Sequence, residues 1–265
     1  MTFLGPALIF ALLFAPAARL LSVAYRTRRA PEIWAGLYFL GTSIGIPLRV
    51  LGHSLSISAP ALSIQLNTVG HAVFAAATCA MAIFTWQVFR TEEAWARALA
   101  IGTIGAISIT TIFVLGTGQA NAEQSVSVAV ANMARLIPIY WAFFESTRYR
   151  RAMLRRSQLG LADPVVTNRF LLWSIWTAAL AILPSTALLL RLFGMVAYLA
   201  GIDFGDGSST SIAETEAIVL VIRVIFLVTA PVGAIALCLS FFPPERFLAF
   251  IRTRGASPHG ISELR

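Results

Sequence analysis

Seven stretches of mostly apolar residues follow one another along the chain, each of about 20 residues and so long enough to cross the bilayer core as a helix. Charged residues make up only 12% of the 265 residues, and the mean hydropathy is +0.79. A soluble domain could not bury so much apolar surface. The sequence therefore predicts an all-α integral membrane protein, a bundle of seven transmembrane helices. The predicted spans are residues 3–25, 33–52, 65–89, 97–116, 126–147, 169–198 and 217–242.

Turn-forming residues separate these spans, and the last break divides the chain into two parts. The breaks fall at residues 29–31, 58–60, 116–118, 160–164 and 243–244. After the last break, ERFLAFIRTR places apolar residues on one side and charged residues on the other, which predicts a short helix lying in the membrane interface. We expect a transmembrane domain over 1–242 and a cytoplasmic amphipathic helix with a short tail over 243–265, without a fused output domain.

Small residues are dense in AVFAAATCAMA (72–82) and AIGTIGAIS (100–108). Small side chains let transmembrane helices approach closely. We therefore expect spans 3 and 4 to pack closely against each other.

The loops that alternate along the chain differ in charge, and this difference predicts the orientation. Arginines cluster after spans 1, 3, 5 and 7, whereas the loop GIDFGDGSSTSIAETE is acidic. Because basic loops stay in the cytoplasm, the N-terminus is predicted outside and the C-terminus inside.

The densest basic cluster is STRYRRAMLRR (146–156), where Arg148, Arg151 and Arg155 share one helical face. We expect these three to contact anionic lipid headgroups at the cytoplasmic face or to dock another protein. A nucleic-acid role is excluded because the segment is short and tethered at the bilayer.

Several arginines lie within the spans, where a charge is costly. Arg135 is the deepest, about 14 Å from the outer end of span 5 by the helical rise, and Arg223 is its expected neighbour. We interpret these polar residues as an outward-facing, arginine-containing pocket for an anionic ligand; the alternative is that they make only structural contacts. The candidate ligand-binding residues are Arg135, Arg223, Arg49, Asn132, His71, His53 and Arg191.

The residue types limit the chemistry. All 20 basic residues are arginine, so a retinal Schiff base, which needs a lysine, is excluded. No nucleophile elbow or phosphate loop is present, no metal site is predicted, and the residues identify no cofactor. His53 and His71 leave axial ligation of a haem or a pigment open.

The stretch ESTRYRRAMLRRSQLGLADPVVTNRFLLW (145–173) resembles uncharacterised bacterial seven-helix membrane proteins of the sensor-kinase membrane-module type. The resemblance implies a multi-pass protein of the bacterial inner membrane and assigns no functional residue. We therefore expect a non-enzymatic sensor or receptor-like module that acts through a partner protein. The alternatives are an accessory subunit of a larger membrane complex, including a pigment- or haem-associated one, and a transporter of a small anionic solute.

The orientation can be checked by labelling single cysteines in a cysteine-free background of intact cells. We expect a cysteine at Ser208 to react with a membrane-impermeant thiol reagent and a cysteine at Ser157 to be protected, because the acidic loop faces outward. The reverse pattern would overturn the orientation.

Overall fold

The computed structural model describes the backbone of residues 4–121, 125–159, 161, 163–199 and 209–255. Within these ranges, the side chains at 4–6, 158, 183, 187, 190–199, 209–219, 221–223, 226 and 252–255 lie outside the described part. The described backbone forms α-helices and one 3₁₀ turn, Gln119–Asn121, without a β-strand. The helices are α1 (Leu4–Thr27), α2 (Ala30–Ser54), α3 (Pro60–Phe89), α4 (Ala94–Gly116), α5 (Val126–Gln158), α6 (Pro164–Leu199), α7 (Ser209–Phe241) and α8 (Glu245–Gly255).

The number of helices that can span a membrane is six or seven in the described part of the chain. Six helices, α1 to α6, are long and apolar enough by themselves. A seventh results if Leu227–Phe241 and Glu245–Ile251, which meet at an 87° bend, count as one broken span. The bend falls at Pro243-Pro244, where neither residue has an N–H to continue the helix. The all-helical membrane class is thus supported, and the count of seven remains a prediction.

The helices extend beyond the apolar runs from which they were predicted. Helices α2 and α3 begin with Pro31 and Pro60 in their first turn, not after them. Proline fits this position because the first N–H groups of a helix have no intrahelical partner. Helix α5 continues past the apolar run to Gln158. Pro31 and Pro60 stand in the predicted breaks, because hydropathy alone does not locate the first turn of a helix. The continuation of α5 agrees with the helical face predicted for the arginines of residues 146–156.

Helix α2 approaches α3 through glycines. A Cβ atom at Gly45 would lie 2.9 Å from the backbone nitrogen of Phe74, and one at Gly41 would lie 2.8 Å from Ala77 Cβ. By contrast, a Cβ at Gly102 or Gly105 of α4 would meet no atom within 4 Å. The expected close packing of spans 3 and 4 is therefore wrong for the α4 glycines. The small residues of α3 accommodate α2 at these glycines, and Ala75 of α3 also lies in one apolar cluster with Ile107 of α4.

An aromatic cluster joins α2, α6 and α7 at the end of the bundle that carries the basic loops, here called the basic end. Phe39 is fully buried, and its ring centroid lies 4.9 Å from that of Trp176 and 5.5 Å from that of Phe241. Trp173 packs edge-on against the same Phe241 ring at 6.0 Å. Helix α8 adds Phe247 to this core and buries Ile251. The basic end is therefore the more aromatic part of the described bundle.

The outer face of α4 is apolar and exposed. Ile101, Ile109 and Ile112 expose 64%, 70% and 70% of their surface. Their spacing places them on one side of the helix. Such a face is compatible with contact to lipid, the environment that the hydropathy of the chain predicts.

The contact between α2 and α3 can be tested with two helical glycines. We expect Gly45→Ala to lower the melting temperature in detergent, because the new methyl group has no room against the α3 backbone. Gly105→Ala is the matched control and should leave the temperature unchanged or raise it, since alanine is the better helix former by about 1 kcal/mol. Equal effects of the two substitutions would contradict this packing.

Candidate functional site

Arg135 of α5 lies at the centre of a polar network between three helices. Only 2% of its surface is exposed. Its Nη1 lies 3.0 Å from Nδ1 of His71 on α3 and 3.3 Å from Oδ1 of Asn132, one turn earlier on α5. Its Nη2 donates to Oγ1 of Thr111 on α4 at 3.1 Å. One guanidinium therefore links α5 to both α3 and α4.

The hydrogen bond from Arg135 determines the proton position on His71. A guanidinium has only donors, so Nδ1 of His71 must accept and its proton resides on Nε2. The backbone of Ala120 is a second hydrogen-bonding neighbour of the ring. His71 is 1% exposed and is therefore held between a helix and the loop that precedes α5.

The positive charge of Arg135 is compensated by neutral groups only, as far as the described residues show. Its Cζ lies 5.8 Å from the ring centroid of Phe74, in the range of a cation–π contact. Its Nε is buried without a hydrogen-bond partner. No described carboxylate forms an ion pair with it. The arrangement thus keeps an incompletely satisfied cation inside the bundle.

A second group of polar residues ties the 3₁₀ turn to α3. Asn67 Nδ2 donates to Asn121 Oδ1 at 2.7 Å, and Asn121 Nδ2 reaches Ser63 Oγ at 3.5 Å. Asn67 also packs on Gly52 of α2, where a Cβ would lie 2.8 Å from its amide group. These contacts hold the turn, and with it the Ala120 backbone, beside His71.

Arg49 and His53 lie on α2 beside this network. They line an open cavity of about 310 Å³ together with Ile46, Val50 and Ser54. The stem of Arg49 runs along Gly70 of α3, where a Cβ would lie 2.7 Å from Arg49 Cγ. The charge of Arg49 acts on both His71 and Arg135. Arg49 therefore borders the open cavity on one side and the buried network on the other.

The structure brings together part of the predicted pocket. Arg135, Asn132 and His71 are in direct contact, Arg49 is adjacent, and His53 is exposed in the cavity. The side chains of Arg191 and Arg223 lie outside the described residues, so the expected pairing of Arg223 with Arg135 stays a prediction.

Two partners of Arg135, Thr111 and Phe74, were not anticipated from the sequence. Threonine and phenylalanine are ordinary residues of a membrane helix, so neither stands out by type. The one available signal is position along the chain: Phe74 and Thr111 lie in the parts of spans 3 and 4 that are nearest the predicted outer end, the end at which Arg135 also lies.

At the basic end, Arg90 connects three helices through carboxylates. Its Nε donates to Glu145 of α5 at 2.9 Å, and its Nη1 pairs with Glu93 at the start of α4. The hydrogen bond to Glu145 raises the pKa of Arg90. The pKa of Glu93 is lowered, mainly by the hydrogen bond from Arg90 and to a lesser extent by the one from Trp95. Because the pKa of Glu93 is lowered, this pair is kept at neutral pH and lost as the pH falls through the lowered pKa.

The three arginines predicted to contact lipid or a partner are exposed. Arg148, Arg151 and Arg155 lie on the part of α5 that continues beyond the apolar run. The same exposure would serve a lipid headgroup or a protein partner, so both alternatives stay open.

The chain matches no protein-family model, no curated protein and no solved structure. Among the residues that the structure describes, no group of three or more His, Cys, Asp or Glu side chains could hold a metal ion. A functional inference therefore depends on the geometry around Arg135 and Arg49.

The two membrane histidines provide a test of the network. We expect His71→Phe to lower the free energy of unfolding by about 1–3 kcal/mol, because a buried charged donor loses its acceptor. His53→Phe, at an exposed position on α2, should have no comparable effect. Thermal unfolding in detergent measures both, and equal losses in the two variants would show that the Arg135–His71 contact contributes nothing specific.

Proposed function

We propose that the chain is a non-enzymatic, receptor-like module of a bacterial inner membrane, with seven crossings, the N-terminus outside and the C-terminus in the cytoplasm. It binds an anionic group in the cavity beside Arg49 and His53 and acts through a separate partner protein. The observation that carries this proposal is the position of Arg49 between an open cavity and the buried Arg135 network.

The electrostatics of this region favour an anion. Arg49 and Arg135 act on each other unfavourably, since both are cations. The described groups that hydrogen-bond Arg135, namely His71, Asn132 and Thr111, are neutral. An anion in the cavity would attract both guanidinium groups, and in a water-poor environment that attraction is stronger than in solution. A carboxylate, sulfate or phosphate group matches the planar donors of an arginine.

The connection to a partner follows from α5. This helix carries Arg135 near one end and the exposed Arg148, Arg151 and Arg155 near the other. Anion binding changes the electrostatic force on Arg135 and so displaces α5. Because the three exposed arginines lie on the same helix, they move with it. These arginines form the contact to anionic lipid or to the partner.

The binding site can be tested by thermal unfolding of the detergent-purified protein with phosphate, sulfate or acetate, at an ionic strength held constant with chloride. We expect at least one anion to raise the melting temperature in a saturable way. At 100 times its dissociation constant, the anion should add about 2.7 kcal/mol to the free energy of unfolding. Arg49→Gln should abolish this response. Arg97→Gln removes an exposed arginine at the basic end and should retain it.

Two results would overturn the proposal. One is the absence of any saturable stabilisation of the unmodified protein by the three anions. The other is an equal response of Arg49→Gln and Arg97→Gln, which would show that the anions act on the general charge of the protein and not at this cavity.

A further inference from the structure

A second cavity opens at the basic end, far along the helices from Arg49. It has a volume of about 520 Å³ and lies between α1, α2, α3, α6 and α7. All of its lining residues come from the parts of these helices nearest the basic loops. Its wall is largely apolar and includes the aromatic residues Phe84, Phe89, Phe170, Trp173 and Phe241.

Two arginines flank this aromatic wall. Arg19 of α1 and Arg169 of α6 line the cavity, both are exposed, and neither forms an ion pair with a described residue. The Cζ of Arg19 lies 5.0 Å from the ring centroid of Phe242, which holds the guanidinium beside the end of α7. Two cations that face one opening from different helices are suited to a phosphate group.

Two residues of this lining, Glu32 and Trp173, each have a buried polar atom without a partner. Oε2 of Glu32 and the indole Nε1 of Trp173 are both shielded from solvent and lack a hydrogen bond among the described residues. Unpaired buried polar atoms are unfavourable unless something bound to the site satisfies them. Glu32 requires a hydrogen-bond donor and carries a negative charge, which a cationic donor fits best.

The geometry points to a binding site for one phospholipid with an amine-bearing headgroup, of the phosphatidylethanolamine type. Its phosphate binds Arg19 and Arg169, and its ammonium group binds the carboxylate of Glu32. The start of an acyl chain lies along the phenylalanines. This site shares no residue with the cavity beside Arg49 and does not depend on the function proposed there.

A lipid fits this cavity better than a free phosphate for two reasons. The wall below the charged groups is apolar and aromatic, which a small hydrophilic ion would leave unused. Glu32 and Arg169 also lie at the ends of the apolar runs of α2 and α6, and Arg19 lies less than two turns inside that of α1. This is near the level at which lipid headgroups meet a membrane protein. Arginine and tryptophan at this level can each contact a headgroup while their apolar parts stay in the hydrocarbon.

The site can be tested by native mass spectrometry of the full chain, titrated with phosphatidylethanolamine, phosphatidylglycerol or phosphatidylcholine of identical acyl chains. We expect phosphatidylethanolamine to bind most tightly, since the choline headgroup has no N–H to donate. The double variant Arg19→Gln/Arg169→Gln should lose about tenfold in affinity, as expected for two partly exposed charge pairs. The double variant Arg26→Gln/Arg97→Gln removes the same charge elsewhere at the basic end and should bind normally.

Glu32→Gln gives a result that a merely structural role would not produce. Without the carboxylate charge, binding of phosphatidylethanolamine should weaken, whereas binding of the anionic phosphatidylglycerol should stay equal or strengthen. This change of selectivity is measurable even if one of the double variants fails to fold.

Three outcomes would overturn the lipid site. The first is equal binding of phosphatidylethanolamine and phosphatidylcholine by the unmodified protein. The second is that Glu32→Gln lowers the affinity for all three lipids equally, or leaves the affinity for every lipid unchanged. The third is full displacement of the lipid by millimolar glycerol phosphate, which would identify the occupant as a soluble phosphate compound.

Discussion

A guanidinium inside a helix bundle depends on protein groups to accept from its N–H groups, because the surrounding hydrocarbon offers no water. An arginine at the centre of a membrane helix costs roughly 2.5–3.5 kcal/mol on insertion scales. Arg135 offsets part of this cost through a histidine, an amide, a hydroxyl and an aromatic face. Because these groups come from α3, α4 and α5, the solvation of one charge requires the polar faces of three helices to meet at Arg135.

The close contact between α2 and α3 places Arg49 between the buried Arg135 network and an open cavity at the surface of the bundle. Gly70 leaves room for the stem of Arg49, and Gly45 lets the two backbones approach. Arg49 can therefore lie flat against α3 and act on His71 and Arg135 while it still lines an open cavity. A larger residue at position 70 would push Arg49 away and separate the cavity from the network. The glycines of α2 and α3 thus have a consequence for the candidate site as well as for packing.

Hydropathy was sufficient to predict an all-helical chain, because the cost of unpaired backbone groups in lipid leaves few alternatives to a helix. It could not give the helix ends, since Pro31 and Pro60 are compatible with a first turn. Arg135 and Asn132 were predicted together because they are three residues apart on one helix. The contacts to His71 and Thr111 depend on the rotation of α3 and α4, which no local pattern reports. Similarly, the small residues of α3 indicated close packing but not whether α2 or α4 was the neighbour.

The length of α5 has a mechanical consequence. Its 33 residues correspond to about 50 Å of helix, well beyond the ~30 Å of the hydrocarbon layer. From Arg135 to Gln158 the helix extends about 34 Å, so a tilt of about 5° around Arg135 would displace its far end by about 3 Å. A displacement of that size equals the length of a hydrogen bond. A small tilt of α5 around the buried arginine would therefore become a larger displacement at the exposed arginines near its other end.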